Sequence, residues 1–442
     1  MPDVRPEAEI DDFISRLGTL KVLCVAVSGG SDSTALLHLL HQRMPSISET
    51  RLVAVTIDHA LRPDSAQEAA KVAEFCKLRG IEHRIKIWTG EKPASGLQDA
   101  ARNVRYELLR EAALELETNA VVTAHTRDDQ IETIRMRQQR AAGRGLSGMA
   151  GRVLFRRDCW IMRPFLRVRK QALRDVLTAA QIGWSEDPSN RDRRFERVRI
   201  RQAQNEPGAD MELLSMVEAM ADARQKDNMR LARFLSEGTR VHGDMVVELP
   251  LVPEGLSDVL QQAVAMMAAL MGGRAYLPGA RSQDQIARLI AGGGPPRVNL
   301  SRSVIDRRAN RIFIYRERRS LPKLELAPGA SAVWDGRYRI KNDYKRRTVS
   351  IGPMGDNPPR LAESLPGDVP RGVISRSARS MPGLIDPKGT PGALTGADRA
   401  ESRVSCIRHF VHFDQFLPDF DRVVADECAR LFGCSPYPVP PA

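Results

Sequence analysis

The stretch Lys21–Ser33 reads KVLCVAVSGGSDS and determines how the first part of the chain should fold. A short valine-rich run, typical of a buried strand, leads directly into two glycines and several serines around Asp32. Apolar residues at helical spacing follow, so the sequence predicts a strand, a tight turn and a helix. Glycine lets the backbone approach a ligand closely, and the N–H groups at a helix start attract anions. We therefore predict a phosphate site at Ser28, Gly29, Gly30, Ser31, Asp32 and Ser33.

Asp32 is an unexpected residue in a phosphate loop, because a carboxylate repels a phosphate unless a cation lies between them. The loop therefore implies Mg²⁺ with Asp32 as its protein ligand. The alternative is an ordinary strand–helix turn in which the serines cap the helix. The loop has neither the GxxxxGK[ST] pattern of a Walker loop nor the GxGxxG pattern of a dinucleotide site.

Strand-like and helix-like segments alternate from this loop to about residue 180. The strand-like segments are Lys21–Val27, Arg51–Ile57, Glu82–Trp88, Ala120–Ala124 and Ile161–Leu166. The helix-like segments are Ser33–Arg43, Ser65–Arg79, Asp99–Glu115, Asp129–Gln139 and Arg169–Ile182. This alternation predicts an α/β fold with a parallel sheet that binds its ligands at the carboxyl ends of the strands.

Polar residues follow the second strand and occupy the third helix. Asp58 ends the second strand, at the ligand edge of the sheet, unless it only caps a turn. Arg102 and Arg105 lie three residues apart on one helix face, with Tyr106 beside them. Arginine binds phosphate through two parallel hydrogen bonds and tyrosine can stack on a base. The alternative for this pattern is a solvated helix face.

The stretch His125–Thr133, HTRDDQIET, follows the fourth strand. His125, Asp128, Asp129 and Glu132 lie at positions i, i+3, i+4 and i+7. A helix that begins near Asp128 would carry two carboxylates in its first turn, with Glu132 on the same face. We predict an acidic pocket for a cationic substrate, with His125 near a nucleotide. Two alternatives remain open: carboxylates that only stabilise the helix start, and a His/Asp/Glu metal site.

The 442-residue chain carries 67 Lys and Arg against 55 Asp and Glu, a formal net charge of +12. The segment Arg135–Arg201 alone has 18 basic and 6 acidic side chains, so it accounts for the whole excess. Such a concentration predicts a polyanionic partner, here nucleic acid, although a solvated surface is the alternative. A second basic cluster comprises Arg307, Arg308, Arg311, Arg316, Arg318 and Arg319.

Three features bear on cellular location. The chain has no apolar run long enough to cross a membrane, and its acidic first residues do not resemble a signal peptide. Its six cysteines form no CxxC pair. We therefore expect free thiols in a reduced compartment, the cytoplasm, with no membrane partner.

Composition shifts along the chain divide it into three parts. Asn205, Pro207 and Gly208 interrupt the alternating pattern, a Met-rich helical stretch follows, and the region after Ile351 is dense in Gly and Pro. We predict an α/β domain over 1–212, a mainly helical domain over 213–322 and a β-rich module over 323–442.

The loop sequence SGGSDS resembles the signature of the N-type ATP pyrophosphatases, the PP-loop superfamily. The ordered series GLQDAARNVRY from Gly96, GLSGM from Gly145 and EDPSN from Glu186 resembles more narrowly the tRNA(Ile)-lysidine synthases. The resemblance is close over residues 20–200. It implies an enzyme that adenylates C2 of the wobble cytidine in an isoleucine tRNA with a CAU anticodon. L-lysine then displaces AMP to form lysidine.

The resemblance also implies roles for the predicted domains and for individual residues. It makes 1–212 a PP-loop ATP pyrophosphatase catalytic domain and 213–322 a tRNA-binding domain. Residues 28–33 would bind the pyrophosphate part of ATP, and Asp32 would organise Mg²⁺. Arg102 and Arg105 would hold the nucleotide or the cytidine, and His125 would orient the reacting groups. The candidates for holding lysine are Asp58, Asp129 and Glu132. The oligomeric state stays open, with a homodimer as one option.

Three other functions compete with this interpretation. A PP-loop tRNA thiolase would need paired or catalytic cysteines or an iron–sulfur cluster, and the chain has no CxxC motif. A synthetase of the amidotransferase type would not need the basic segment. The third is a non-catalytic RNA-binding protein that has kept the nucleotide loop as a relic. The intact SGGSDS and DDQIET sequences speak against such a loss of activity.

Overall fold

The computed structural model of the chain describes nine stretches of residues. They are 4–61, 65–93, 95–139, 146–186, 199–200, 209–252, 254–356, 369–394 and 403–441. The chain forms two compact units. The first comprises Met1–Gln225, Phe416–Phe420 and Pro438–Ala442, and the second comprises Lys226–Gln415 and Asp421–Tyr437.

The first unit contains a seven-stranded, mostly parallel sheet. Six of its strands are β1 (Val22–Ala26), β2 (Arg51–Asp58), β3 (Glu82–Ile87), β4 (Ala120–Val122), β5 (Arg152–Phe155) and β6 (Cys159–Met162). The seventh strand, Phe416–Pro418, pairs with β5, and the order runs from it through β5, β6, β4, β1 and β2 to β3. The pairs that involve β1, β2, β3 and β4 are parallel, as the alternating pattern predicts.

Helices cover this sheet. They are α1 (Pro6–Ser15), α2 (Ser31–Ile47), α3 (Ser65–Lys77), α4 (Leu97–Glu115), α5 (Arg127–Gln139) and α6 (Lys170–Ala179). Buried apolar residues of α1, α2, α3 and α6 form one core with the sheet, and those of α4 contribute to a second. Because β1 lies between β2 and β4, the strand order reverses beside β1. That reversal places the ligand crevice of an open α/β sheet at the end of β1.

The predicted elements of this unit are present, with ends shifted by a few residues. The structure adds α1, β5 and the strand Phe416–Pro418, none of which the sequence pattern indicated. Two short antiparallel strands, β5 and Phe416–Pro418, therefore extend a sheet that was expected to be wholly parallel.

The second unit is built on antiparallel sheets. A five-stranded sheet has the order Arg240–His242, Val246–Pro250, Arg311–Arg316, Ser303–Arg308 and Arg297–Leu300. A four-stranded sheet joins Leu324–Leu326, Val349–Pro353, Pro382–Ile385 and Pro391–Ala393. A three-stranded sheet joins Ser331–Trp334, Tyr338–Asn342 and Val404–Arg408. The helices of this part are Ser257–Met271, Ala280–Ala291, Arg371–Ala378, Val411–Asp414 and Arg422–Leu431.

The two units divide the chain differently from the three segments expected from composition. The boundary expected after residue 212 falls inside one helix, Ala209–Gly238, which continues past the division at 225/226. The middle segment also carries a five-stranded sheet, where mainly helical structure was expected. Its strands are short, so the alternation of apolar and polar residues in them is a weaker signal than the helical pattern around them. The tRNA-binding role of this segment stays a prediction.

Among the helices in the described stretches, none is long and apolar enough to cross a membrane.

Candidate active site

The loop between β1 and α2 is closed by hydrogen bonds of its own residues. Gly29 adopts a left-handed conformation with φ +82°, which glycine reaches at little cost. The Ser33 hydroxyl donates to Gly30 O at 3.1 Å and accepts from the Ser28 N–H at 3.1 Å. Ser33 thus fixes the shape of the loop, whereas the sequence suggested that it could donate to a phosphate. Helix α2 begins at Ser31, and first-turn N–H groups of a helix lack helical acceptors, so the loop is suited to an anion.

Asp32 lies at the start of α2 and pairs with Lys170, a residue that the sequence analysis did not single out. The Lys170 ammonium is 3.0 Å from Asp32 Oδ2, and the Ser31 hydroxyl donates to Asp32 Oδ1 at 3.0 Å. Burial raises the pKa of Asp32 and outweighs the opposing effect of Lys170, and the charge of nearby Asp129 also raises it. Asp32 and Asp129 are therefore close enough to interact, as the shared ligand edge predicts.

The start of α5 is fixed by a reciprocal cap. Asp129 Oδ2 accepts hydrogen bonds from the Thr126 N–H at 2.8 Å and from the Thr126 hydroxyl at 2.9 Å. The preceding Asp128 accepts a hydrogen bond from the backbone N–H of Lys170 at 2.8 Å, which ties α5 to the first residue of α6. The capping alternative is thus realised for Asp129, whereas Asp128 satisfies the first N–H group of α6. Within the described residues Asp129 Oδ1 has no hydrogen-bond partner, so one oxygen remains available to a substrate.

The other two members of the HTRDDQIET motif differ in exposure. His125 is half-buried, and its Nδ1 lies 2.9 Å from the Thr123 hydroxyl, which orients the ring. Glu132 lies one turn after Asp129 in the same helix and is only 1% exposed. Direct contact between Glu132 and a diffusing substrate would therefore need local rearrangement.

Asp58 reaches the ligand edge but is used in a turn. Its Oδ1 accepts a hydrogen bond from the Ala60 N–H at 2.7 Å. Next to it, His59 packs edge-on against Trp88, and burial together with the charge of Arg105 lowers the His59 pKa. His59 Nδ1 is buried without a hydrogen-bond partner in the described part of the chain. This unsatisfied nitrogen is a candidate ligand contact. The sequence analysis did not propose it, although His59 directly follows Asp58.

Arg105 connects the residues that follow β2 with those that follow β4. Its charge interacts with His59 and with Asp129, and burial lowers the pKa of its guanidinium. Arg102 lies 5.2 Å from the centre of the Tyr106 ring, and Arg163 approaches the Tyr106 hydroxyl at 3.5 Å. Burial raises the pKa of Tyr106, but Arg163, Arg102 and Arg105 together lower it to about 8.

The base-stacking role suggested for Tyr106 does not fit its position. The side chain is 2% exposed and packs against Phe155 and Phe416, with ring centres 5.8 and 5.5 Å away. It belongs to the core below the site because Phe416, contributed by the added edge strand, covers it. Arg102, in contrast, is exposed and can reach a ligand.

The GLSGM segment is fastened to α5. The Gln130 side-chain amide donates to Met149 O at 3.0 Å and accepts from the Met149 N–H at 2.6 Å. Gly148 has φ +70°, and a Cβ there would lie 2.9 Å from both Gln130 and Val217. A larger residue at Gly148 would therefore displace this segment.

A cavity of about 610 Å³ opens beside the phosphate loop. Gly29 and Thr34 form one wall, and residues of α3 and of the segment 183–186 form the others. The Ser185 N–H donates to Gly29 O at 2.9 Å, so the residue just before the EDPSN motif contacts the loop. The volume is in the range of small-molecule sites.

The residues around Asp32 fit a magnesium ion that arrives with phosphates. In the described stretches no three His, Cys, Asp or Glu side chains are grouped as a metal cage, which disfavours the His/Asp/Glu alternative. Mg²⁺ is often held by one or two carboxylates plus substrate phosphates and water. Asp32, at the start of the helix that is predicted to bind phosphate, would be the one protein carboxylate among these ligands.

Many side chains of the two basic clusters are already neutralised. Arg135 pairs with Asp210, Arg152 with Asp419 and Arg156 with Glu107, all at 2.6–2.7 Å. In the second cluster, Arg316 is buried against Asp335, and Arg308, Arg311 and Arg318 pair with Asp306, Glu248 and Asp356 respectively. The sequence-based count therefore overstates the charge that these clusters offer to RNA.

Several predicted motif residues lie outside the described residues. They are Gly145 of the GLSGM motif and Asp187, Pro188, Ser189 and Asn190 of the EDPSN motif.

Sequence comparison relates the chain to known proteins over nearly its whole length. Residues 2–206 match the PP-loop domain, an ATP-binding family. The tRNA(Ile)-lysidine synthase of Rhizobium meliloti (strain 1021) is 37% identical over 458 aligned positions, covering 99% of this chain and 98% of the relative. That of Mesorhizobium japonicum is 40% identical over 428 positions, covering 94% and 93%.

Solved structures show a weaker likeness. The U34-tRNA thiolase NcsA from Methanococcus maripaludis aligns with a TM-score of 0.42 at 16% identity, over 48% of this chain and 77% of that one. This likeness is too low to bear on function. The sequence relatives cover nearly the whole chain at well above 30% identity. The chain therefore belongs to the tRNA(Ile)-lysidine synthases, a family of ATP-using tRNA-modifying ligases built on a PP-loop domain.

Proposed function

We propose that this enzyme ligates free L-lysine to C2 of the wobble cytidine in an isoleucine tRNA with a CAU anticodon. ATP is cleaved to AMP and pyrophosphate, and the product is lysidine, which reads AUA codons. The observation that carries the proposal is that Lys170 joins Asp32, at the start of α2, to Asp128, the neighbour of Asp129 at the start of α5. A nucleotide site and a site for an amine thus lie side by side.

The first step activates the cytidine. The C2 oxygen attacks the α-phosphorus of ATP, and the bond to the β-phosphate oxygen breaks as pyrophosphate leaves with the electron pair. The loop of residues 28–33 would bind the pyrophosphate part, and Asp32 would hold Mg²⁺. When bound, Mg²⁺ supplies positive charge to the departing phosphate oxygens. Arg102 and Arg105 would hold the nucleotide or the cytidine.

The second step transfers the amine. The ε-ammonium of lysine has a reference pKa of ~10.4 and is not a nucleophile until it loses a proton. Asp129, whose Oδ1 is available, and Glu132 are the groups proposed to bind the ammonium and accept that proton. The amine then attacks C2, and AMP leaves with the oxygen and its electron pair. Asp58 would assist in holding lysine, and His125 would orient the reacting groups.

The sulfur-transfer alternative conflicts with the state of the cysteines. Cys24, Cys76, Cys159, Cys406 and Cys428 are buried, and Cys434 is half-buried. Burial raises the pKa of Cys24 to about 12 and that of Cys76 to about 11, so both stay protonated near neutral pH. Sulfur chemistry requires an accessible thiolate.

The cytoplasmic location and the homodimer stay predictions. Light scattering of the purified protein would decide whether it is a homodimer.

The function itself is tested by digesting tRNA to nucleosides after incubation with enzyme, ATP and lysine. Mass spectrometry should find a cytidine heavier by one lysine minus one water. A cytidine in which sulfur has replaced oxygen would instead favour a thiolase.

A further inference from the structure

Lys170 is placed at the phosphate loop by two independent contacts. Its ammonium lies 3.0 Å from Asp32 Oδ2, and its backbone N–H donates to Asp128 Oδ2 at 2.8 Å. As the first residue of α6, it ends the segment RPFLRVRK, to which neither step above assigns a role. The backbone is therefore fixed beside the loop while the side chain extends to Asp32.

The pair is suited to exchange because it is not deeply buried. The side chains of Lys170 and Asp32 are 27% and 20% exposed. Lys170 brings a single positive charge to this carboxylate, in an ion pair that solvent can reach. A divalent ion brought by a polyphosphate would compensate the charge of Asp32 better and would compete for the same oxygens.

We propose that Lys170 is a pyrophosphate-binding residue of the ATP site. When the metal-bound nucleotide takes over Asp32, the Lys170 ammonium turns from the carboxylate to the β- and γ-phosphate oxygens. A lysine side chain is flexible, and its ammonium acts as a point charge toward phosphate. Lys170 stays protonated throughout and neutralises charge on pyrophosphate as the bond between the α- and β-phosphates breaks. This assignment rests on the proposed ATP chemistry.

The test separates phosphate binding from general damage to the loop. Calorimetric titrations with magnesium pyrophosphate and with AMP would be made on Lys170→Gln, Lys170→Arg and the unaltered protein. Lys77→Gln is the matched control, since Lys77 is an exposed lysine at the end of α3. Thermal unfolding would check that each variant is folded.

In Lys170→Gln the Kd for pyrophosphate should rise at least tenfold, about 1.4 kcal/mol, and the Kd for AMP less than about twofold. Lys170→Arg should bind pyrophosphate within about threefold of the unaltered protein, because it keeps the charge. Lys77→Gln should not differ from the unaltered protein. Unchanged pyrophosphate binding in Lys170→Gln, or equal weakening of both ligands, would overturn the assignment. If the unaltered protein bound no pyrophosphate, the proposed ATP chemistry would fail as well.

Discussion

Asp32 and Asp335 are both carboxylates that contact basic side chains, yet their surroundings have opposite consequences. Asp32 lies beside the Lys170 ammonium and is only partly exposed. Its partial burial raises the pKa of its carboxyl group. Asp335 is fully buried with Arg316 and Arg337, 3.0 and 2.6 Å away. Burial opposes the charge of Asp335, but Arg337, Arg316 and Arg302 together lower its pKa. The comparison separates a carboxylate that can exchange its partner for a ligand from one that holds its unit together.

The largest expected effect is the loss of turnover in Asp32→Ala. Without its carboxylate the loop cannot place a metal at the phosphates, so turnover should fall at least ~10³-fold, about 4 kcal/mol in the barrier. The fold should survive, since the side chain is at the surface of the sheet edge. Pyrophosphate release in the presence of tRNA measures the first effect, and thermal unfolding measures the second. Near-normal turnover would show that Asp32 is not the metal ligand.

The next largest effect is expected in stability, at Asp335→Asn. Removing this charge leaves Arg316 and Arg337 buried without compensation, which typically costs about 3–5 kcal/mol. Asp343→Asn is the control, because Asp343 is exposed and pairs with Lys341 at the surface. That variant should lose less than ~1 kcal/mol. Urea unfolding compares the two, and equal stabilities would contradict a structural role for Asp335.

Glu132→Gln tests whether this buried carboxylate serves lysine. Loss of its charge should raise the KM for lysine at least tenfold, a loss of about 1.4 kcal/mol. Pyrophosphate release without lysine should survive, because tRNA adenylation does not need the amine. Loss of that release with an unchanged lysine KM would assign Glu132 to the nucleotide site instead.

Arg102 and Arg318 test which cations meet RNA. Arg102 is exposed near the site, whereas Arg318 is paired with Asp356 at 3.1 Å. In Arg102→Gln the salt dependence of tRNA binding should weaken by roughly 0.7–0.9 in the log–log slope, as for one lost phosphate contact. In Arg318→Gln the slope should stay the same. Filter-binding titrations at several salt concentrations measure both, and a reversed order would restore the second basic cluster as an RNA surface.

The smallest effect is a pH-dependent gain in stability. A raised pKa means that the folded protein favours the neutral form of Asp32, so ionisation at neutral pH costs stability. Asp32→Asn should therefore be more stable than the unaltered protein near pH 7, and the gain should vanish well below the reference pKa of 3.8. The pH dependence has the opposite sign for Asp335. Its contribution to stability is present above pH 3.8, the reference pKa, and is lost as the pH falls through its lowered pKa. Denaturant titrations over this pH range check both signs.

Local patterns in the sequence were sufficient for the part of the site that is continuous in the chain. The loop at Gly29 and the helix that follows it both show in residue types and spacing, because backbone conformation and helix starts are local properties. The place of Asp129 near the start of a helix also showed in the spacing, and the structure uses this residue as a cap of α5. Its contact with a substrate stays a prediction.

Contacts between distant residues could not be predicted in this way. Lys170 meets Asp32 across 138 positions of the chain, and Tyr106 is covered by Phe416 from near the other end. Arg316 counted as a surface charge until its pairing with Asp335 showed it to be buried. No periodicity in a single sequence encodes these pairings, because each depends on how separate elements pack.

The order of the two chemical steps gives the most direct test of the proposed mechanism. The enzyme would be mixed with the isoleucine tRNA and ATP labelled at the α-phosphate, first without lysine and then with it. Pyrophosphate should be released before lysine is added, with the label retained on the tRNA, and lysine should then release labelled AMP as lysidine forms. ADP as the main product, or pyrophosphate that appears only after lysine is added, would contradict the account.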